Sequence, residues 1–171
     1  MDRLAERVDA TLARFLDDRS RSLDAVGPEL APVAAEARQF VLDGGKRLRP
    51  RFAYWGWRTT RADDDGDLIT AAAALELLHA CALVHDDVMD ASATRRGRPA
   101  AHAAFAAHHR EAGWPGDAGV FGAAAAILLG DLLLSWADAL FASAQPTRAA
   151  RAVFDDMREL VMAGQYLDVL V

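Results

Sequence analysis

Three aspartates close an apolar run. In ELLHACALVHDDVMD, residues 76–90, Asp86, Asp87 and Asp90 follow a stretch of alanine, leucine and valine, and Arg95, Arg96 and Arg98 come a few residues later. Carboxylate oxygens suit Mg²⁺, which keeps several waters and shares phosphate oxygens with its protein ligands. Guanidinium groups suit those same phosphate oxygens, because their planar fork donates paired hydrogen bonds. Acids for a cation beside bases for an anion describe half of a site for a magnesium-bound diphosphate. Two plainer readings stand beside it. The acids can be a solvated helix end, and the arginines can be salt-bridge partners to those acids.

The run from Leu68 to Asp90 reads as one long helix. At about 100° per residue, Asp90, His79 and Ala82 all fall within about 40° of Asp86 on one stripe, while Asp87 lies about 100° away on its flank. Carboxylates at a helix C-terminus face the negative end of the macrodipole. The residues one turn back, Ala82, Leu83 and Val84, offer no base to offset them. A bound cation would.

A second cationic cluster, GGKRLRPRF at 44–52, sets Gly44 and Gly45 ahead of Lys46, Arg47, Arg49 and Arg51. Glycine lets a backbone approach a ligand closely, and the bases fit phosphate; a solvated basic helix start is the alternative. The P-loop spacing and its Ser or Thr after the lysine are absent. The acidic turn RADDDGD at 61–67 is no EF-hand, because Arg61 and Ala72 stand where that loop needs acids. His102, His108 and His109 have no accompanying cysteine or matching acid, so they read as surface histidines rather than zinc ligands.

These groups need a helical scaffold. Alanine and leucine dominate and β-branched residues are sparse, which favours an all-α chain. Hydrophobic residues make up 53% of 171, enough for a core in a single domain over 1–171. Leu4, Val8, Leu12, Phe15 and Leu16 mark an amphipathic helix over 3–22, which Gly27-Pro28 breaks. Further helices are expected over 29–42, 52–60, 100–110, 123–144 (buried) and 148–171. Loops are expected at 92–99 and 113–122. Tyr54, Trp55 and Trp57 read as core or interface aromatics. Thr147 caps the last helix, where Gln165 and Asp168 stand about 60° apart and can face one site.

Net charge is −6 and the pI near 5.3, without the basic excess of a nucleic-acid binder. One cysteine, Cys81, cannot form an internal disulfide, which points to a reducing compartment, the cytoplasm. The N-terminus has no apolar signal core. Asp131 and Asp138 interrupt the most apolar stretch, so no transmembrane segment is expected.

Four segments, in this order, together resemble the trans-type isoprenyl diphosphate synthases, or polyprenyl synthetases: GGKRLRP at 44–50, ELLHACALVHDDVMD at 76–90, TRRGRP at 94–99 and GQYLD at 164–168. The resemblance implies an all-α, isoprenoid synthase-type helical bundle, usually a homodimer. It implies a reaction joining isopentenyl diphosphate to an allylic diphosphate with release of pyrophosphate. Asp86 and Asp90 match positions that bind Mg²⁺. Lys46, Arg49, His79 and Arg96 match positions that hold isopentenyl diphosphate, Arg95 the residue on the allylic diphosphate, and Gln165 a residue near the allylic substrate. In this family the residues before the first aspartate border the growing tail. Cys81 and Ala82 are small, which implies geranylgeranyl diphosphate or longer; Ala82, on the Asp86 stripe, is expected to matter more than Cys81. The family's catalytic lysine and second aspartate-rich motif do not occur in these 171 residues. The expectation is therefore a truncated N-terminal half, inactive alone and in need of a complementary chain. A non-catalytic subunit is one alternative. A class I terpene cyclase is another, but it would need no second diphosphate site, and GGKRLRP and the Arg95-Arg96 pair argue against it.

Overall fold

A computed structural model describes residues 3–60 and 66–170; most of the acidic turn, 61–65, lies outside the described residues. Seven α-helices follow one another: α1 Arg3–Asp24, α2 Ala31–Leu42, α3 Leu48–Arg58, α4 Gly66–Met89, α5 Ala101–Glu111, α6 Ala118–Ser143 and α7 Arg148–Asp168. A short 3₁₀ turn, Pro28–Leu30, precedes α2. Two-residue strands β1 Thr94–Arg95 and β2 Arg98–Pro99 lie between α4 and α5.

α4 and α6 form the central pair. Both are long and apolar enough, by length and composition, to cross a bilayer. α4 buries side chains on most of its circumference, Ile69, Ala73, Leu77, Ala80 and Val84 among them. A helix apolar all round belongs in a core, and its alanines let neighbours come close. The closest approach is at Gly130 of α6, where an added Cβ would stand 2.1 Å from His85 Nε2; that nitrogen donates to the Ile127 carbonyl at 3.1 Å. α5 folds back on α6, and Gly122 sits where a Cβ would meet the His102 carbonyl at 2.2 Å. α1 supplies Val8, Leu12 and Leu16 to the core at i, i+4, i+8, each worth about 1.5–3 kcal/mol when fully buried. One apolar cluster runs from these residues through α4 and α6 to Phe154 of α7.

Several local expectations are corrected. α3 begins at Leu48 rather than Phe52, because Pro50 occupies the first turn, where its missing N–H has no intrahelical partner to lose. α6 begins at Ala118, inside the expected loop, because the Asp117 side chain caps it through the Val120 N–H at 2.9 Å. It is also exposed on one face, at Val120, Ile127 and Leu128. His109 is buried, not on the surface, with its ring against Trp114 and Phe121. Of the α3 aromatics Tyr54 is buried, while Trp55 and Trp57 are exposed.

Candidate active site

α4 ends in a way that keeps its acids in register. Asp90 N donates to Asp86 O at 2.8 Å, so the helical repeat persists through Asp90 and places it one turn beyond Asp86. Ala91 then turns left-handed at φ 51°. Ser92 N reaches back to Asp87 O at 2.9 Å and Ala91 N to Val88 O at 3.3 Å, the Schellman pattern in which glycine is usual at the left-handed position. The chain reverses next through a hairpin whose two turn residues, Arg96 (φ 53°) and Gly97 (φ 78°), both have positive φ. Such a primed turn matches the twist of its flanking strands. It carries Arg95 back over the acids it follows.

Arg95 grips Asp87. Its Nε lies 2.9 and 3.0 Å from the two Asp87 oxygens and its Nη2 2.6 Å from Asp87 Oδ1, while Nη2 also donates to Asp86 Oδ2 at 2.9 Å. Asp87 is fully buried. Those hydrogen bonds, Asp87's first, raise the pKa of Arg95 above its ordinary value. The flank residue of the helical wheel is thus the buried anchor of the hairpin. From the other side Gln165 Nε2 of α7 donates to Asp86 Oδ1 at 3.0 Å. Asp86 therefore stands between an α7 amide and a hairpin guanidinium. Asp168, paired with Gln165 in the sequence reading, is exposed.

The 44–49 loop lies one layer away. Gly44 and Gly45 have φ 92° and 110°, and Arg47 is left-handed at 48°. Arg47 points inward. It is 5% exposed, and donates to Asp9 of α1 at 2.7 Å and to the buried Glu76 of α4 at 2.9 Å. Lys46 and Arg49 beside it are exposed, with no hydrogen bond or ion pair to any described residue. A Cβ on Gly45 would lie 3.9 Å from the Arg96 guanidinium, so the loop and the hairpin tip meet. His79 lies beneath them: burial, then Arg49, Arg96 and Arg95 in that order, push its imidazole down to about 4. It is neutral at pH 7 and sits in a field that favours an anion.

Two apolar cavities open between α4 and α7. One, about 350 Å³, runs beside Gln165 and is lined by both Cys81 and Ala82. The other, about 440 Å³, is lined by Arg49, His79 and Ala82. They share Leu78, Ala82 and Val161. Ala82 lines both cavities, whereas Cys81 lines only the one beside Gln165. Burial pushes the Cys81 thiol up to about 11.

No group of three metal-ligating side chains comes together among the described residues, so a cation here would rest on Asp86 and Asp90 and complete its shell with water or phosphate oxygens. Each Asp86 oxygen accepts one hydrogen bond and a carboxylate oxygen has about two acceptor sites, so both keep capacity. Asp90 is exposed and unpaired among the described residues.

A family model described as polyprenyl synthetase matches residues 31–171. This chain belongs to the polyprenyl synthetase family. It is 34% identical over 161 residues to the short chain isoprenyl diphosphate synthase of Methanothermobacter thermautotrophicus, covering 92% of this chain and 44% of that protein. It is 32% identical over 169 residues to the geranylgeranyl diphosphate synthase of Methanosarcina mazei, covering 93% and 47%. The crystal structure of geranylgeranyl pyrophosphate synthase from Corynebacterium glutamicum, complexed with isoprenyl diphosphate and magnesium, superposes with a TM-score of 0.91 at 36% identity, covering 98% of this chain and 49% of that one. The fold is the isoprenoid synthase helical fold. The chain spans about half the length of the curated relatives it matches.

The salt-bridge reading of the arginines holds for Arg95, whose partner Asp87 keeps its flank position on α4 but is buried by the returning hairpin. Arg47 was counted with the free bases because nothing in GGKRLRP marks which arginine turns inward, and its partner Asp9 lies 38 residues away.

Proposed function

We propose that the protein containing this chain condenses isopentenyl diphosphate with an allylic diphosphate, giving a longer polyprenyl diphosphate, geranylgeranyl or beyond, and pyrophosphate. The observation that carries the reading is Asp86, held between Arg95 and a Gln165 that also lines an apolar cavity, with a second basic site around His79 alongside. Asp86 and Asp90 would hold Mg²⁺, which when bound neutralises charge on the departing diphosphate. Arg95 stabilises the same charge from the hairpin side. Lys46, Arg49 and Arg96 orient the second diphosphate, and neutral His79 donates its ring N–H to it. The apolar walls exclude water from the allylic cation.

A second diphosphate site favours condensation over cyclisation. The proposal includes a second helical chain, a further copy or a complement, needed for turnover: Leu160, Tyr166 and Leu167 on α7 are each more than 60% exposed, an apolar face that invites a partner. It also places the protein in the cytoplasm, where the free, buried Cys81 stays reduced.

The test is Asp86→Ala in the full-length enzyme, supplied with both diphosphates and Mg²⁺. Pyrophosphate release should fall by about a thousandfold, and a normal rate would overturn the assignment. Pyrophosphate release with hydrocarbon product in the absence of isopentenyl diphosphate would indicate a cyclase.

A further inference from the structure

The cavity beside Gln165 is apolar along most of its wall, yet among the described residues its lining includes one permanently charged side chain, Arg158 of α7. Arg158 lies seven residues before Gln165, about 10 Å along the helix axis. Since Gln165 touches Asp86, the guanidinium is remote from the acids and deep along the direction a tail would take.

It is also fixed there. Arg158 Nη1 donates to Asp138 Oδ1 of α6 at 3.0 Å, and Nη2 to Asp155 one turn back. Its guanidinium carbon lies 5.1 Å from the centroid of Phe154, which stacks on Phe141 of α6 at 4.1 Å. Arg151 shares Asp138 at 2.7 Å. The side chain is 21% exposed. Two carboxylates and a ring thus hold a charge against a hydrocarbon-lined space. A tail advancing onto it would strip water from an ion pair and offer no hydrogen bond in exchange, which is unfavourable. Swinging the guanidinium aside would break both carboxylate contacts.

We propose that Arg158 is a specificity-determining residue: the ion-paired floor of the tail cavity, which sets the length at which elongation stops. This rests on the condensation reading above and adds to it a residue on a different helix from Cys81 and Ala82.

The experiment compares the full-length enzyme with its Arg158→Ala and Arg158→Met variants, given both diphosphates, with products resolved by chain length. In Arg158→Ala the ratio of the product one isoprene unit longer to the wild-type product should rise by about tenfold or more, the scale on which an apolar pocket discriminates added hydrocarbon. Arg158→Met keeps an apolar stem but loses both ion pairs, and should shift the ratio in the same direction by less. It also reads the proposal if the alanine variant does not fold. Glu159→Ala, exposed on the neighbouring position, should leave the ratio unmoved. Folded variants that still condense with an unchanged ratio would overturn the role of Arg158, leaving it a strut between α6 and α7. A wild-type enzyme that forms no polyprenyl diphosphate would overturn the parent reading instead.

Discussion

Two parts of the candidate site are built on the same device and use it differently. In the 44–49 loop, buried Arg47 is locked to Asp9 and Glu76, and that anchor leaves Lys46 and Arg49 exposed and unpaired. At the end of α4, buried Asp87 is locked to Arg95, but Arg95 is also a candidate ligand-binding group and already touches Asp86. The loop's anchor and its binding groups are separate residues; at α4 one arginine has both roles. Under the proposed function, an anion at the loop would meet two cations with no internal contact to break, whereas an anion or a cation at α4 must compete with an internal contact. Charge at Arg47 is held as structure, while charge at Arg95 is shared between structure and site.

The largest effect that would sharpen the comparison is on stability at Arg47. Arg47→Met leaves Glu76, 7% exposed, with no counterion among the described residues, and removing one partner of a buried pair costs about 3–5 kcal/mol. Denaturant unfolding should show that loss. Asp87→Asn should cost less, about 1–3 kcal/mol, because Arg95 is 27% exposed and can turn to Asp86 or to water. If the two losses were equal, or reversed, the distinction between a sealed anchor and a shared one would fail.

Much of this was legible in the residues. Long, strongly periodic or wholly apolar segments announced α1, α4 and α7, and Asp86, Asp90 and His79 fell on one stripe because a straight helix obeys its wheel. The hairpin arginines were legible as phosphate binders or as partners of the acids, and Gln165 as a residue facing a site, but which of them meets Asp86 was not. Their encounter with Asp86 depends on how the chain reverses at Ala91 and on where α7 lies, neither of which has a local signature. The burial of Arg47 has no local signature for the same reason: its partners Asp9 and Glu76 lie far along the chain. Arg158 looked like any helix-surface arginine, since its partner Asp138 lies on the preceding helix.

The smallest effect lies where the two regions meet, at His79. Its imidazole is pushed down to about 4, by burial first and then by Arg49, Arg96 and Arg95. An unfolded histidine titrates near 6.5, so between about 6.5 and 4 the unfolded chain binds more protons than the folded one. Stability is then fully present above the unfolded value and is lost as pH falls through this window. His79 is not deeply buried, so solvent mutes the loss, and the sharper readout is the ring's own NMR titration. Pyrophosphate held by Lys46, Arg49 and Arg96 would cancel the positive field and raise the midpoint above 4. The same addition should move it much less in Lys46→Ala/Arg49→Ala, where the loop's two cations are gone. A midpoint that pyrophosphate raises only slightly, under conditions where binding is measured by calorimetry, would put the anion at Arg95, the weakest of the three charges on His79, instead. It would reverse the comparison, making the end of α4 the open site and the loop the closed one.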